Sequence, residues 1–220
     1  MQMRRRLKTI ASLVDKGSKV IDVGCDHALL DIYLTLYNSN TCIASDINKN
    51  AYEIAKTNIE KYNLTDKIKL VQSDGFKLIE MNDKYTAIIC GMGTTTILDI
   101  LKDEKIKMVD TLIIQTNNDI YMIRKKVTHL GFHIENEVVV KERGIFYVIM
   151  KFVRSKRHHY TWKQLYIGPV LHMSESEEKQ EYIQFLIHTN EQILKKLPKK
   201  YYIKKWKLKY INKLLKKELS

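Results

Sequence analysis

Four groups of acids and glycines recur along this 220-residue chain: Asp22, Gly24 and Asp26; then Asp46; then Ser73-Asp74-Gly75; then Gly91-Met92-Gly93. Each follows a short run that reads as a strand, and in an open α/β sheet ligands bind beyond the carboxyl ends of the strands. Gly24 has no Cβ, so a ligand can come close to the backbone there. Asp46, with Ile47 beside it, lies about two dozen residues after Asp22 and suits a ribose diol, which offers two donors to one carboxylate. Asp74 can accept from an exocyclic amine such as adenine N6. Asp22 and Asp26 favour a cationic ligand, an ammonium or a sulfonium. Two plainer roles stand beside these: Asp22 as a strand-end acid bonded to local backbone, and Asp46 as the cap of the helix that begins near Asn48. His27 reads as a positioning or packing residue rather than a base.

A pyrophosphate cofactor is disfavoured. Its fingerprint needs three spaced glycines after the first strand, whereas Gly24 is followed by Cys25-Asp26-His27-Ala28. Carboxylates beside that turn repel phosphate. S-adenosylmethionine carries positive charge and no phosphate, so it fits this set of residues better.

The elements that must place these groups alternate. Helical spacing of Leu7, Ile10, Ala11, Leu13 and Val14 precedes a strand over 19–23, a helix over about 28–37 and a strand over 41–46. A helix capped by Asn48 follows, then strands over 67–71, 85–90 and 110–114, with helices from Thr94 to Leu101 and over about 119–130. Runs 133–140 and 145–153, joined by a turn-like 141–144, predict an antiparallel hairpin. Five strand–helix alternations predict a mainly parallel sheet covered on both faces, closed by that hairpin at one edge. The expected fold class is therefore α/β, and the closing hairpin resembles the sheet edge of Rossmann-like class I methyltransferases.

After residue 153 the composition changes. Residues 1–150 hold 21 Lys+Arg and 19 Asp+Glu, whereas residues 151–220 hold 17 and 6. A basic connector, Arg154 to His159, leads to two helical stripes. The first is Ile183, Leu186, Ile187, Ile193, Leu194 and Leu197; the second is Ile203, Trp206, Tyr210, Ile211, Leu214 and Leu215. Pro198 marks the turn of a coiled-coil-like helical hairpin. The reading is therefore a catalytic domain over 1–155 and a basic helical hairpin domain over 156–220. A near-neutral body with a cationic appendage suggests a polyanionic partner or, as plainly, a solubilising surface.

No run of about 18 apolar residues exists, and the segment after Arg4-Arg5-Arg6 is too mixed for a signal-peptide core. A cytoplasmic protein with no membrane association and no obligate protein partner is expected. Cys25, Cys42 and Cys90 have no metal-ligand spacing and read as reduced thiols; no metal site is expected.

Val20 through Ala28, Asp46, Ser73 through Phe76, Gly91-Met92-Gly93 and Gln115-Thr116-Asn117 resemble the bacterial tRNA (adenine(22)-N(1))-methyltransferase family, TrmK. The likeness extends to Arg6-Leu7, to Gly144 and Tyr147, and to Gly168-Pro169. The chain departs from the family pattern at Leu29 and Asp31, where an aromatic and a proline are usual, at Thr94 in place of a second glycine, and at Thr116 in place of proline.

The resemblance implies S-adenosylmethionine-dependent methylation of adenine N1 in tRNA. It implies cofactor contacts by Asp22, Gly24, Asp26, His27, Asp46, Ile47, Ser73, Asp74, Gly75, Gly91, Met92 and Gly93. Asp26 is the expected catalytic group, stabilising charge that develops on the base. tRNA contacts are expected from Arg4, Arg5 and Arg6, from Gln115 and Asn117, from Tyr147 by stacking or else as a core tyrosine, and from Lys199, Lys200, Lys204 and Lys205. Three rivals remain: a class I enzyme acting on another RNA, a protein or a small molecule; a non-catalytic RNA-binding relic of the fold; and a membrane-surface protein using the basic helices.

Overall fold

In a computed structural model the chain is described over residues 3–155 and 158–219. The Lys156 and Arg157 part of the basic connector lies outside the described residues. Helix α1 (Arg5–Ser12) leads into β1 (Lys19–Val23), α2 (Leu29–Asn38), β2 (Thr41–Asp46), α3 (Lys49–Lys61), β3 (Ile68–Gln72), β4 (Tyr85–Met92), α4 (Thr94–Ile100), β5 (Val109–Thr116) and α5 (Ile120–His129). The hairpin β6 (Phe132–Glu142) and β7 (Ile145–Arg154) closes the sheet, and α6 (Trp162–Ile167), α7 (Glu177–Lys196) and α8 (Tyr202–Lys217) complete the chain.

The seven strands run in the order β3-β2-β1-β4-β5-β7-β6. The first five pair in parallel and β7 joins antiparallel to β5. That is the expected parallel sheet with a closing hairpin. The strand order reverses between β2 and β4 on either side of β1, so a crevice opens above the carboxyl end of β1.

Two apolar layers sandwich the sheet. Ile10, Leu30, Leu34, Ala55 and Ile59 of α1–α3 cover one face with Val20, Ile88, Ile113 and Ile149. Ile97, Ile123 and Val127 of α4 and α5 cover the other with Ile21, Ile89, Ile114 and Phe152, and Leu165 and Leu171 pack into that same layer. Strand residues therefore alternate between faces, which explains their near-continuous apolar character.

Local signals set the boundaries. Asn48 Oδ1 accepts from Asn50 N and Ala51 N, which fixes the start of α3. Thr161 and Gln164 form a reciprocal capping box on α6, an element absent from the sequence reading. Ser176 caps α7 by accepting from Lys179 N.

The terminal helices form the expected hairpin, but its seam is narrower than the apolar stripes suggest. Among the described residues its buried apolar core is Ile183, Ile187, Ile211 and Leu215. Asn190 and Asn212 are buried beside them and bond to each other, Nδ2 to Oδ1, at 2.8 Å. Ile203 and Trp206 are 67% and 69% exposed. The reason is geometric: two helices bury one narrow line of contact, and Ile203 and Trp206 lie off that line.

Candidate functional site

The turn after β1 is folded back over β2. Gly24 N and Cys25 N both donate to Ser45 O, at 2.8 and 2.9 Å. Gly24 has φ +81°, and Asp26 and Ala28 also take left-handed φ values, +51° and +53°. Two non-glycine residues in that region within three positions represent strain held at the crevice mouth. A Cβ on Gly24 would lie 2.3 Å from Met92 Cε, so the glycine also lets the β4 turn close in.

Asp46 ties this turn to the next helix. Its Oδ2 accepts from Asp26 N at 3.0 Å and its Oδ1 from Asn48 N at 2.9 Å. Each oxygen keeps a second lone pair for a ligand hydroxyl. Asp46 thus supports the loop and remains free to bind a diol. Ser73 Oγ accepts from Leu78 N and donates to Gly75 O, holding the turn after β3, while the exposed Asp74 is paired with Lys77. His27 Nε2 lies 3.4 Å from Asp26 Oδ1.

These groups surround one cavity of about 610 Å³. Asp22, Gly24, Asp26, His27, Asp46, Ile47, Ser73, Asp74, Gly75, Gly91 and Met92 all line it, and so do Arg4 and Arg6. Gly93 does not; it sits at the N-cap of α4. Leu29, Leu30, Thr96 and Ile100, which the sequence reading did not assign to the site, add apolar wall. Their signal is weak because inward helix positions look alike whether they face core or cavity.

At the cavity floor is an acid pair. Asp31, on the first turn of α2, is fully buried, and Asp22 is 5% exposed. Neither Asp31 oxygen receives a hydrogen bond from a protein donor, and the Asp22 carboxyl is the group that acts on it, so a proton shared between the two acids is what can satisfy them. Burial, with the Asp46 charge adding and the Asp31 hydrogen bond opposing, pushes Asp22 up from 3.8 to about 7. Burial and the Asp22 charge push Asp31 up as well. Burial likewise raises the Cys25 and Cys90 thiols, so neither is a thiolate nucleophile.

On the β5 side a polar chain runs from the N-terminal helix to the β4 turn. Arg6 Nη1 donates to Gln115 Oε1 (2.8 Å), Gln115 Nε2 to Asn117 Oδ1 (3.1 Å), and Asn117 Nδ2 to Gly91 O (2.8 Å). The Arg6 guanidinium lies over the Tyr147 ring, 4.9 Å from its centroid. Gln115 is fully buried, so its side chain orders Arg6 and Asn117 rather than presenting itself to solvent. Arg5 turns away and pairs with Glu178 of α7. Lys199, Lys200, Lys204 and Lys205 are not brought to this cavity; Lys200 and Lys204 border a separate shallow surface with Tyr201, Tyr202 and Ile203.

The donor set fits the expected cofactor. Acids at the ends of β1, β2 and β3 face a cavity large enough for an adenosyl group and an amino-acid tail, and no glycine-rich phosphate cradle is present.

Comparison with known proteins agrees. The family model described as tRNA (adenine(22)-N(1))-methyltransferase matches residues 20–218. The tRNA (adenine(22)-N(1))-methyltransferase of Bacillus subtilis is 30% identical over 153 residues, which cover 68% of this chain and 64% of that protein. TrmK of M. capricolum, solved with S-adenosyl-homocysteine, superposes with TM-score 0.85 at 25% identity over 100% of this chain and 98% of that one. A Streptococcus pneumoniae protein in complex with S-adenosyl-L-methionine superposes with TM-score 0.87 at 27% identity over the whole of both chains.

Proposed function

The chain belongs to the tRNA (adenine(22)-N(1))-methyltransferase family, and from that premise we propose how its residues carry out the transfer. The enzyme methylates N1 of adenine 22 in tRNA with S-adenosylmethionine as donor. The observation that carries the residue assignment is the convergence of Asp22, Gly24, Asp46, Asp74 and Met92 on one cavity at the carboxyl edge of the sheet.

The bound cofactor supplies an electrophilic sulfonium methyl group. Asp46 accepts from the ribose hydroxyls, and Asp74, with Ser73 and Gly75 shaping its turn, faces the adenine amine. Asp26, joined by Asp22 as its carboxyl ionises near 7, provides the negative potential that favours the cationic end. Adenine N1 brings its own lone pair, so no general base is needed. The product base is cationic near neutral pH, and Asp26 stabilises that developing charge. Aligning N1 with the methyl group supplies most of the rate, through Gly91, Met92 and the Asn117 amide bonded to Gly91. N1 lies on the pairing edge, so adenine 22 leaves its stack to react.

No described helix is long and apolar enough to cross a membrane. We assign residues 1–155 to catalysis and 156–220 to tRNA contact, with Lys199, Lys200, Lys204 and Lys205 facing phosphates and Arg4 and Arg6 guiding the strand toward the cavity. Incubating the protein with isotopically labelled cofactor and unmodified tRNA, then analysing the nucleosides by mass spectrometry, tests the assignment. Labelled 1-methyladenosine supports it; a labelled nucleoside of another kind overturns the substrate.

A further inference from the structure

A second cavity of about 660 Å³ lies beside the first, between the β5–α5 loop, the β7 end of the hairpin and α7. Its walls are aromatic. Phe146 packs against Tyr182 and Phe185 at 5.7 and 5.4 Å between centroids, and Tyr121 against Tyr166 at 6.3 Å. Its rim is polar, with Asn117, Asn118 and Asp119 exposed on the loop. Asp119 takes a left-handed φ of +36° and caps α5, its Oδ1 accepting from Met122 N. Among its lining residues is the 98% buried Arg124, whose Nε and Nη1 are bonded while Nη2 has no hydrogen-bond partner.

The two cavities share no lining residue. Between them stand the Asn117–Gly91 hydrogen bond and the Arg6–Tyr147 contact. Arg6 covers one face of Tyr147, and the tyrosine also borders the aromatic cleft. A base seated in this cleft is therefore a different base from the one that meets the methyl group.

The geometry points to the cleft as the seat of an unstacked tRNA nucleobase other than adenine 22, held between the rings of Tyr121, Tyr147 and Phe185 and hydrogen-bonded by the 117–119 loop. Three features select that occupant. Flat π surfaces with a polar rim match a base, which is apolar on its faces and polar on its edges. The cleft adjoins the catalytic cavity, where the same RNA strand must run. The last 70 residues carry 17 Lys+Arg against 6 Asp+Glu, which complements a phosphate backbone. The inference rests on the tRNA reading above, and its role is recognition: a second base that must fit fixes which adenine reaches the methyl group.

The test uses the full-length enzyme and tRNA transcripts in which single nucleotides other than adenine 22 are made abasic. One abasic position should weaken binding by wild-type enzyme about tenfold, as expected for loss of a stacked base. The same transcript should cost Phe185→Ala nothing further, because the ring that held the base is gone. Phe185 is half exposed, and Phe185→Leu, which keeps apolar volume without a ring, gives the same readout if the alanine variant is unstable. If no abasic position matters, or if the penalty persists undiminished in both variants, the cleft is not a base seat. Methylation of adenine 22 is scored on the same transcripts: transfer without coupling overturns the cleft alone, and coupling without transfer overturns the methylation reading alone.

Discussion

The buried Asp22–Asp31 pair makes a prediction whose sign and size follow from counting protons. In the unfolded chain both carboxyls ionise near 3.8; in the fold Asp22 rises to about 7 and Asp31 is raised as well. A folded acid that binds its proton more tightly than the unfolded chain gives stability that is full below 3.8. That stability is lost as pH climbs through the folded value near 7. Each retained proton contributes a slope of about 1.4 kcal/mol per pH unit within that window. Asp31→Asn removes one such proton, keeps the side-chain volume, and supplies an amide that donates to Asp22. The stability of the variant relative to wild type should therefore grow as pH rises above 3.8, by that slope for each pH unit over which Asp31 keeps its proton in the fold. For a chain of this size each such pH unit corresponds to roughly 3–6 °C in melting temperature. Thermal or urea melts of both proteins from pH 5 to pH 8 read it directly. Parallel pH profiles, or a variant that loses ground as pH rises, would refute the shared-proton account.

Other substitutions probe other links. Asp46→Ala removes the acceptor of Asp26 N and Asn48 N together with the diol contact; cofactor affinity should fall at least tenfold, on the order of 1.4 kcal/mol or more. Unchanged affinity by calorimetry would take Asp46 out of the site. Arg124→Ala leaves Glu137, whose side chain is fully buried, without its guanidinium and frees the carbonyls of Leu165 and Tyr166; a loss of about 3–5 kcal/mol in urea unfolding is expected. A loss below about 1 kcal/mol would mean this pair does not anchor the C-terminal segment. Raising salt from about 50 to 200 mM should weaken tRNA binding by about 10³-fold or more if six or more phosphates are contacted. A flat response would contradict phosphate recognition by the lysine-rich hairpin.

The sheet was readable because its strands are β-branched runs ending in acids and glycines, so one pattern marked both the element and the site. β1 and β2 fall where the spacing places them, and the Asn48 cap was visible in sequence. Less visible was what depends on distant pairing. α6 is a single-box helix of six residues, too short to leave a periodicity. Ile203 and Trp206 match an apolar stripe, yet exposure is decided by whether a partner helix lies opposite, and a stripe does not carry that information. Within the site, Asp46 and Met92 were legible from their strand ends. Gln115 was expected at the substrate, whereas its buried amide links Arg6 to Asn117, a role set by contacts over more than a hundred residues of chain. Asp31 was visible only as a departure from the family pattern, and its meeting with Asp22 needed the fold.

The central claim, that this chain transfers a methyl group to N1 of adenine 22, is tested most directly by primer extension across an incubated tRNA transcript. A methyl group at N1 blocks Watson–Crick pairing, so reverse transcription should halt one nucleotide before position 22 only when enzyme and S-adenosylmethionine are both present. The stop should vanish when adenine 22 is replaced by guanine. Read-through at position 22 with the complete reaction, or a stop that survives the replacement, would contradict the account.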